Sequence, residues 1–484
     1  MRQSLDMSSI RTLSGRSTVE AITGLAQQLD KANVVYNAIT YEYLLSAYAK
    51  ADNPDQIMPL LARMYQTGVR PSLRFFHGAL NLSARFAEAR LQARILEEMK
   101  GAGYDIKTIA VYSYMIRCMR NNGEIERALD TVEAMRKENI SLTLFICQQL
   151  MDMSIELNHP DIAYELLKEG VMLNFFTEHH HHIYMDLLRC AALNGSHVIV
   201  KDLWQVVLDR NIVPDEGLCH YILHVAAEHG DSRLGSDVIR ILGKAGFPYK
   251  ESHFAPLVEA FAASGDWKST LQVLDLMRKA GLTPTQETTR SIAFRLGKDT
   301  DAVRLARNAL DDLQKENAID ILAFNLVIHA FAYNNQYEDA METFRKASDM
   351  QVKIDIETIH SVLDACIHAE EVAAGVRIFN QYIHGDIKPN ATTMSKMVTL
   401  MCTQDDYEDA FKYLESMKAM GLVPLRGCYY RLVKKLASHQ DTRLSIALDE
   451  MKACGYQMTA FLQGHIDKHM PQDEENVEDR EPRR

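Results

Sequence analysis

Prolines and glycines in this chain recur at multiples of 35 residues. Pro284 follows Pro214 by 70, Pro389 follows Pro284 by 105, and Pro424 follows Pro389 by 35. Gly68 and Gly103 are 35 apart, as are Gly246 and Gly281, and Gly421 lies 140 beyond Gly281. Each of these prolines stands three residues after the glycine place, a helix stop followed by a residue that cannot continue a helix. A fixed period of this length marks a repeat array, in which each unit stacks only on its neighbours. The 484 residues, roughly three domains by ordinary domain size, are therefore read as one series of small units. Pro71 to Pro214 spans 143, four periods plus three. We place one inserted residue near Thr108 and two at His179 and His180.

Apolar residues follow the same register. In Ile321–Asp355 the first half carries Phe324, Val327, Ile328 and Phe331, and the second carries Tyr337, Ala340, Thr343, Phe344 and Ala347. Both are amphipathic-helix spacings, separated by the polar turn Asn334-Asn335-Gln336. The next unit repeats the scheme with Ile359, Val362, Leu363 and Cys366, then Val372, Gly375, Ile378, Phe379 and Tyr382. Each unit is thus a helical hairpin whose apolar stripe its neighbours must cover. Twelve units are expected: 38–72, 73–107, 109–143, 144–178, 181–215, 216–250, 251–285, 286–320, 321–355, 356–390, 391–425 and about 426–459. In 286–320, Gly297-Lys298-Asp299 pulls the turn early. Residues 17–37 read as a capping half-unit, 460–470 as a closing helix, and 471–484 as a disordered acidic tail. Residues 1–16 have the Ser, Arg and near acid-free character of a weak presequence or a flexible terminus. The fold class expected is all-α, a right-handed superhelical α-solenoid without strands.

Composition narrows the function. With 53 Lys+Arg against 65 Asp+Glu the formal charge is −12, which opposes indiscriminate nucleic-acid coating but permits a locally basic face. No apolar run reaches the length of a membrane span. The eight cysteines contain no CxxC, so zinc-ribbon and thioredoxin-type sites have no support and free, buried thiols are expected. His179–His182 point in different directions on a helix and converge poorly on one ion. The signatures GxGxxG, GxxxxGK[ST] and GxSxG are missing, as is the HxE with PCxxC of zinc deaminases. No catalytic residue, metal or cofactor is expected.

A 35-residue hairpin ending in Gly-x-x-Pro resembles the pentatricopeptide repeat family. The stretches TYEYLLSAYAKADNPDQIMPLLARMYQTGVRP (40–71), AFNLVIHAFAYNNQYEDAMETFRKASDM (323–350) and ATTMSKMVTLMCTQDDYEDAFKYLESMKAMGLVP (391–424) carry the likeness. The 34-residue period of tetratricopeptide repeats would drift by four between Gly281 and Gly421. The resemblance implies single-stranded RNA binding, about one base per repeat, through each unit's fifth and last residues. On that basis Asn325 with Asp355 is the pair expected to favour uracil, and His360 with Asn390, Ser113 with Thr143, and Ser395 are partial matches. Apolar second residues that would sandwich a base are Ile39, Phe145 and Leu322, whereas Arg74, His182, Gly217 and Glu357 depart from the pattern. Basic residues near first-helix ends, Lys50, Arg85, Arg120 and Lys298, are phosphate candidates.

The function implied is organellar RNA binding, in a mitochondrial matrix more than a plastid, for transcript stabilisation, processing or translation. The alternative is a structural or assembly subunit, as in a mitochondrial ribosome, that holds ribosomal or assembly proteins or folded rRNA.

Overall fold

The computed structural model describes residues 24, 26–28, 31, 36–176, 180–316, 319–383 and 387–470. The expectations for 1–16, most of 17–37, His179 and 471–484 fall outside them. The described residues are helical with no strand. First helices of successive hairpins start at Ala38, Leu73, Ile109, Leu144, His181, Glu216, Glu251, Gln286, Ile321, Ile356, Ala391 and Arg426, and a last helix spans Ala460–His469. The steps between first-helix starts are 35 residues except for 36 before Ile109 and 37 before His181.

The unit at 321–355 shows why the chain folds this way. Asp320 starts the helix Ile321–Tyr333 by accepting from the Leu322 N–H at 2.7 Å, satisfying a donor that the helix itself cannot. Phe324, Val327, Ile328 and Phe331 are fully buried. Asn335, in the left-handed region at φ 57°, turns the chain into the second helix, Tyr337–Arg345, which buries Ala340, Thr343 and Phe344. Many of the described second helices end at a left-handed residue too. At Gly421 (φ 70°) the Gly421 N–H donates to the Lys418 carbonyl at 2.9 Å and the Leu422 N–H to the Met417 carbonyl at 3.0 Å. That is a Schellman stop, and Pro424 follows it.

Two compact units divide the chain, residues 1–214 and 215–484. In each, first helices lie against first helices of adjoining hairpins; Ile321–Tyr333 on Ile356–His368, and Leu73–Arg85 on Ile109–Asn122, are examples. The second unit has an apolar core from Phe254 to Ile466, and the first has one running from Tyr36 to Val111. The early turn at Gly297 shortens the first helix to Gln286–Leu296, and the second helix, Thr300–Lys315, is correspondingly long at 16 residues. All eight cysteines are free, and all but Cys454 are buried. No described helix is long and apolar enough to cross a membrane.

Candidate nucleic-acid interface

The last residue of most repeats is the N-cap of the next first helix, and this sets the geometry of the expected base-facing pairs. Where a residue is inserted the cap moves with it, to Thr108 and His180. Asp355 accepts from the Thr358 N–H at 2.8 Å with Oδ1, and the same oxygen accepts from Asn325 Nδ2 at 3.1 Å. The Thr358 hydroxyl lies 2.7 Å from Asn325 Oδ1 and 2.8 Å from Asp355 Oδ1, so it can donate to either. The Asn325 amide is therefore held at both ends. One N–H and one lone pair remain for a further partner, on a residue only 6% exposed.

His360 and Asn390 meet indirectly. His360 Nε2 is 2.8 Å from Thr393 Oγ1, and Asn390 Oδ1 accepts from both the Thr393 N–H at 2.9 Å and its hydroxyl at 3.0 Å. Ser395 Oγ accepts from the Leu425 N–H at 3.3 Å. Ser113 instead donates to the Ile109 carbonyl at 2.7 Å, while Thr143 caps Ile146 at 3.3 Å; no hydrogen bond joins these two among the described residues. Glu42 and Ser72, poor matches to the family pattern, do meet, the Ser72 hydroxyl donating to Glu42 at 2.5 Å.

Sequence reasoning passed over the third residue of each unit. Thr288, Thr358 and Thr393 are fully buried, and His253 is nearly so. The signal was present as a capping box, Asp355-x-x-Thr358 and Asn390-x-x-Thr393, a pattern legible from spacing alone.

Of the second-position residues, Ile39 and Phe145 are exposed and Leu322 is half-buried, so two of the three present apolar surface to solvent. The basic candidates divide. Lys50 is exposed, and the exposed Lys298 lays its ammonium 3.8 Å from the Phe294 ring centroid. Arg85 is paired with Asp52 at 2.7 Å and Arg120 with Glu156 at 2.8 Å and Asp152 at 3.3 Å. Arg120 also sits one place early. Asn121 donates to the Ala84 carbonyl at 2.8 Å, as Arg85 does to the Ala49 carbonyl at 3.2 Å in the hairpin before. The residue inserted ahead of Ile109 accounts for the shift. Among the described residues no group of three or more His, Cys, Asp or Glu is placed to hold a metal ion.

Family models match much of this layout. One described as "Pentatricopeptide repeat-containing protein" matches residues 75–169 and 216–347, a "Pentatricopeptide repeat domain" matches 24–84, and a "PPR repeat" matches 392–422. Together they cover more than half the chain, and all are repeat models. A pentatricopeptide repeat-containing protein of Arabidopsis thaliana is 24% identical over 211 residues, 42% of this chain and 37% of that one. A mitochondrial one from the same plant is 19% identical over 313 residues, 64% and 48% of the two chains, and others carry chloroplastic names. The chain spans about half or less of the length of these relatives. The crystal structure of the maize pentatricopeptide repeat protein PPR10 aligns over 93% of this chain and 68% of its own, at 18% identity and a TM-score of 0.38.

Proposed function

The chain belongs to the pentatricopeptide repeat family, and on that premise we propose that it binds single-stranded RNA, with sequence-selective contacts in its second unit. The observation that carries the proposal is the Asn325–Asp355–Thr358 cluster. An amide fixed at both ends presents its remaining donor and acceptor in one orientation, so little freedom is lost when a base edge arrives. An Asn side chain offers both polarities to a Watson–Crick edge, and Leu322, three residues before it, supplies apolar surface for the base. His360, held by Thr393, is the neighbouring reader.

In this reading the setting is an organelle, a mitochondrion before a plastid, and the task is transcript stabilisation, processing or translation. The family assignment supports an organelle. A second reading, a scaffold subunit gripping protein or folded rRNA, is favoured by the ion pairs that occupy Arg85 and Arg120 and by the −12 charge.

The test is a titration of the full chain on random RNA libraries at two salt concentrations, beside Asn325→Ala. Selection of uracil at one position by the wild type, weakened by about 1–3 kcal/mol in the variant, supports base reading. Equal binding of both without base preference favours the scaffold.

A further inference from the structure

We propose that the face of the last repeat's first helix, Arg426–Ser438, is a sequence-independent anchor for a single-stranded RNA segment. It would grip phosphates with Arg431 and Lys434 and stack bases on Tyr430 and Phe461. The proposal rests on the RNA-binding reading above and extends it to Arg431, Lys434 and Phe461, which stand outside the fifth and last places, while Tyr430 is the fifth residue of its unit.

The helix carries Arg426, Arg431, Lys434 and Lys435 and no acid, in a chain whose charge is −12. The register explains why this charge is unspent. Lys396, sixth in its unit, forms an ion pair with Asp364, ninth in the preceding unit. Arg431 is sixth in the next unit, and the ninth place that it faces is Thr399, which lines the same depression. The ninth-place column thus runs Asp364, Thr399, Lys434, and the acid that balances the ladder one layer earlier is gone. Among the described residues Arg431 has no carboxylate partner. Lys434 lies 4.3 Å from the ring centroid of Phe461, and Arg426 lies 5.4 Å from that of Tyr430. Lys435 reaches only Asp405, at 3.6 Å, a fully solvated carboxylate, which contributes little. The one acid at the margin is Glu370.

Shape agrees with charge. Arg426, Gly427, Tyr430, Arg431 and Lys434 line a shallow open depression on the helix. Gly427 stands where most units place a side chain, and a Cβ there would meet nothing within 4 Å, so the approach to Tyr430 is open. Phe461, on the closing helix Ala460–His469 packed against this one, is 70% exposed. Cations alternating with accessible aromatic faces match a strand that alternates phosphate and base, whereas an acidic peptide has no use for the rings. Phosphates and ring faces are common to every nucleotide, so this grip carries no sequence information.

The experiment titrates the full chain with fluorescein-labelled uridine and adenosine homo-oligonucleotides at several salt concentrations. Arg431→Gln/Lys434→Gln should bind both oligomers about tenfold more weakly, and its slope of log affinity against log salt should be shallower by roughly 1.4, at about 0.7 per single-strand phosphate. Phe461→Ala should weaken both oligomers with the slope unchanged. If the wild type binds RNA and the double variant matches it in affinity and slope, the anchor is overturned while the RNA-binding reading stands. A loss confined to one homopolymer also overturns it. If the wild type binds neither oligomer, the RNA-binding reading fails and the anchor falls with it. Polyglutamate should bind the wild type at least tenfold more weakly than RNA; equal binding would make this an acidic-peptide site instead.

Discussion

One carboxylate oxygen of Asp355 closes the backbone of a helix and holds the Asn325 amide. Asp355→Ala removes the cap and should destabilise the second unit by about 1 kcal/mol, within the 0.5–2 range for lost caps. Asp355→Asn keeps an acceptor and should recover most of that in urea denaturation while still altering base preference. His253 is a second residue under constraint. Its Nδ1 accepts from the Lys250 N–H at 3.3 Å and its Nε2 faces Glu216 at 3.2 Å, so the neutral ring with its proton on Nε2 fits the site. Burial holds its pKa below the ordinary histidine value, with Lys250 adding to the shift and Glu216 opposing it. The unfolded chain then takes up a proton near pH 6.5 before the folded one does. Stability is full above that pH and is lost as pH falls through it, so thermal melts between pH 7.5 and 5.5 should show a decline that His253→Gln reduces. The thiols give a third expectation. Burial pushes Cys147, Cys219, Cys366 and Cys402 up to about 12, leaving almost no thiolate at pH 8. Iodoacetamide on the native chain should label the half-buried Cys454 first, as read by peptide mass mapping, with Cys147, Cys219, Cys366 and Cys402 labelled only after denaturation.

At the scale of the element, Phe344 joins one second helix to the next, its ring edge-on to Tyr382 at 5.7 Å. Phe344→Ala should cost about 3–5 kcal/mol, and hydrogen exchange should speed up in the hairpins at 321–355 and 356–390 before distant ones. Uniform loss of protection would contradict this. The all-α class was legible because local signals agreed: apolar spacing in Ile321–Tyr333, the left-handed stop at Gly421 and the break at Pro424 all punctuate the chain alike. The early turn at Gly297 was legible too, but the long helix after it was not, since helix length there is set by packing on neighbours. The pairing of Asn325 with Asp355 followed from family register. The grip of Thr358 on both did not, because it depends on how the next hairpin folds over the last. Arg120 shows the limit of counting: one inserted residue moved it off the place that Asn121 takes.

Among the described residues, several that stand last in their unit, one of the two places of each base-reading pair, also start the next helix. Ser72, Thr143, Asp215, Asp320, Asp355 and Asn390 all accept from a backbone N–H of the helix that follows. The side chains suited to that duty are few, mainly Ser, Thr, Asp and Asn. The vocabulary available for recognition is therefore the vocabulary of helix initiation. On the RNA-binding reading proposed above, drift toward a new target at these places is cheap while it stays within those four residues. Beyond them, each altered letter also loosens a joint between hairpins, so an array like this one can wander among targets only as far as its joints hold.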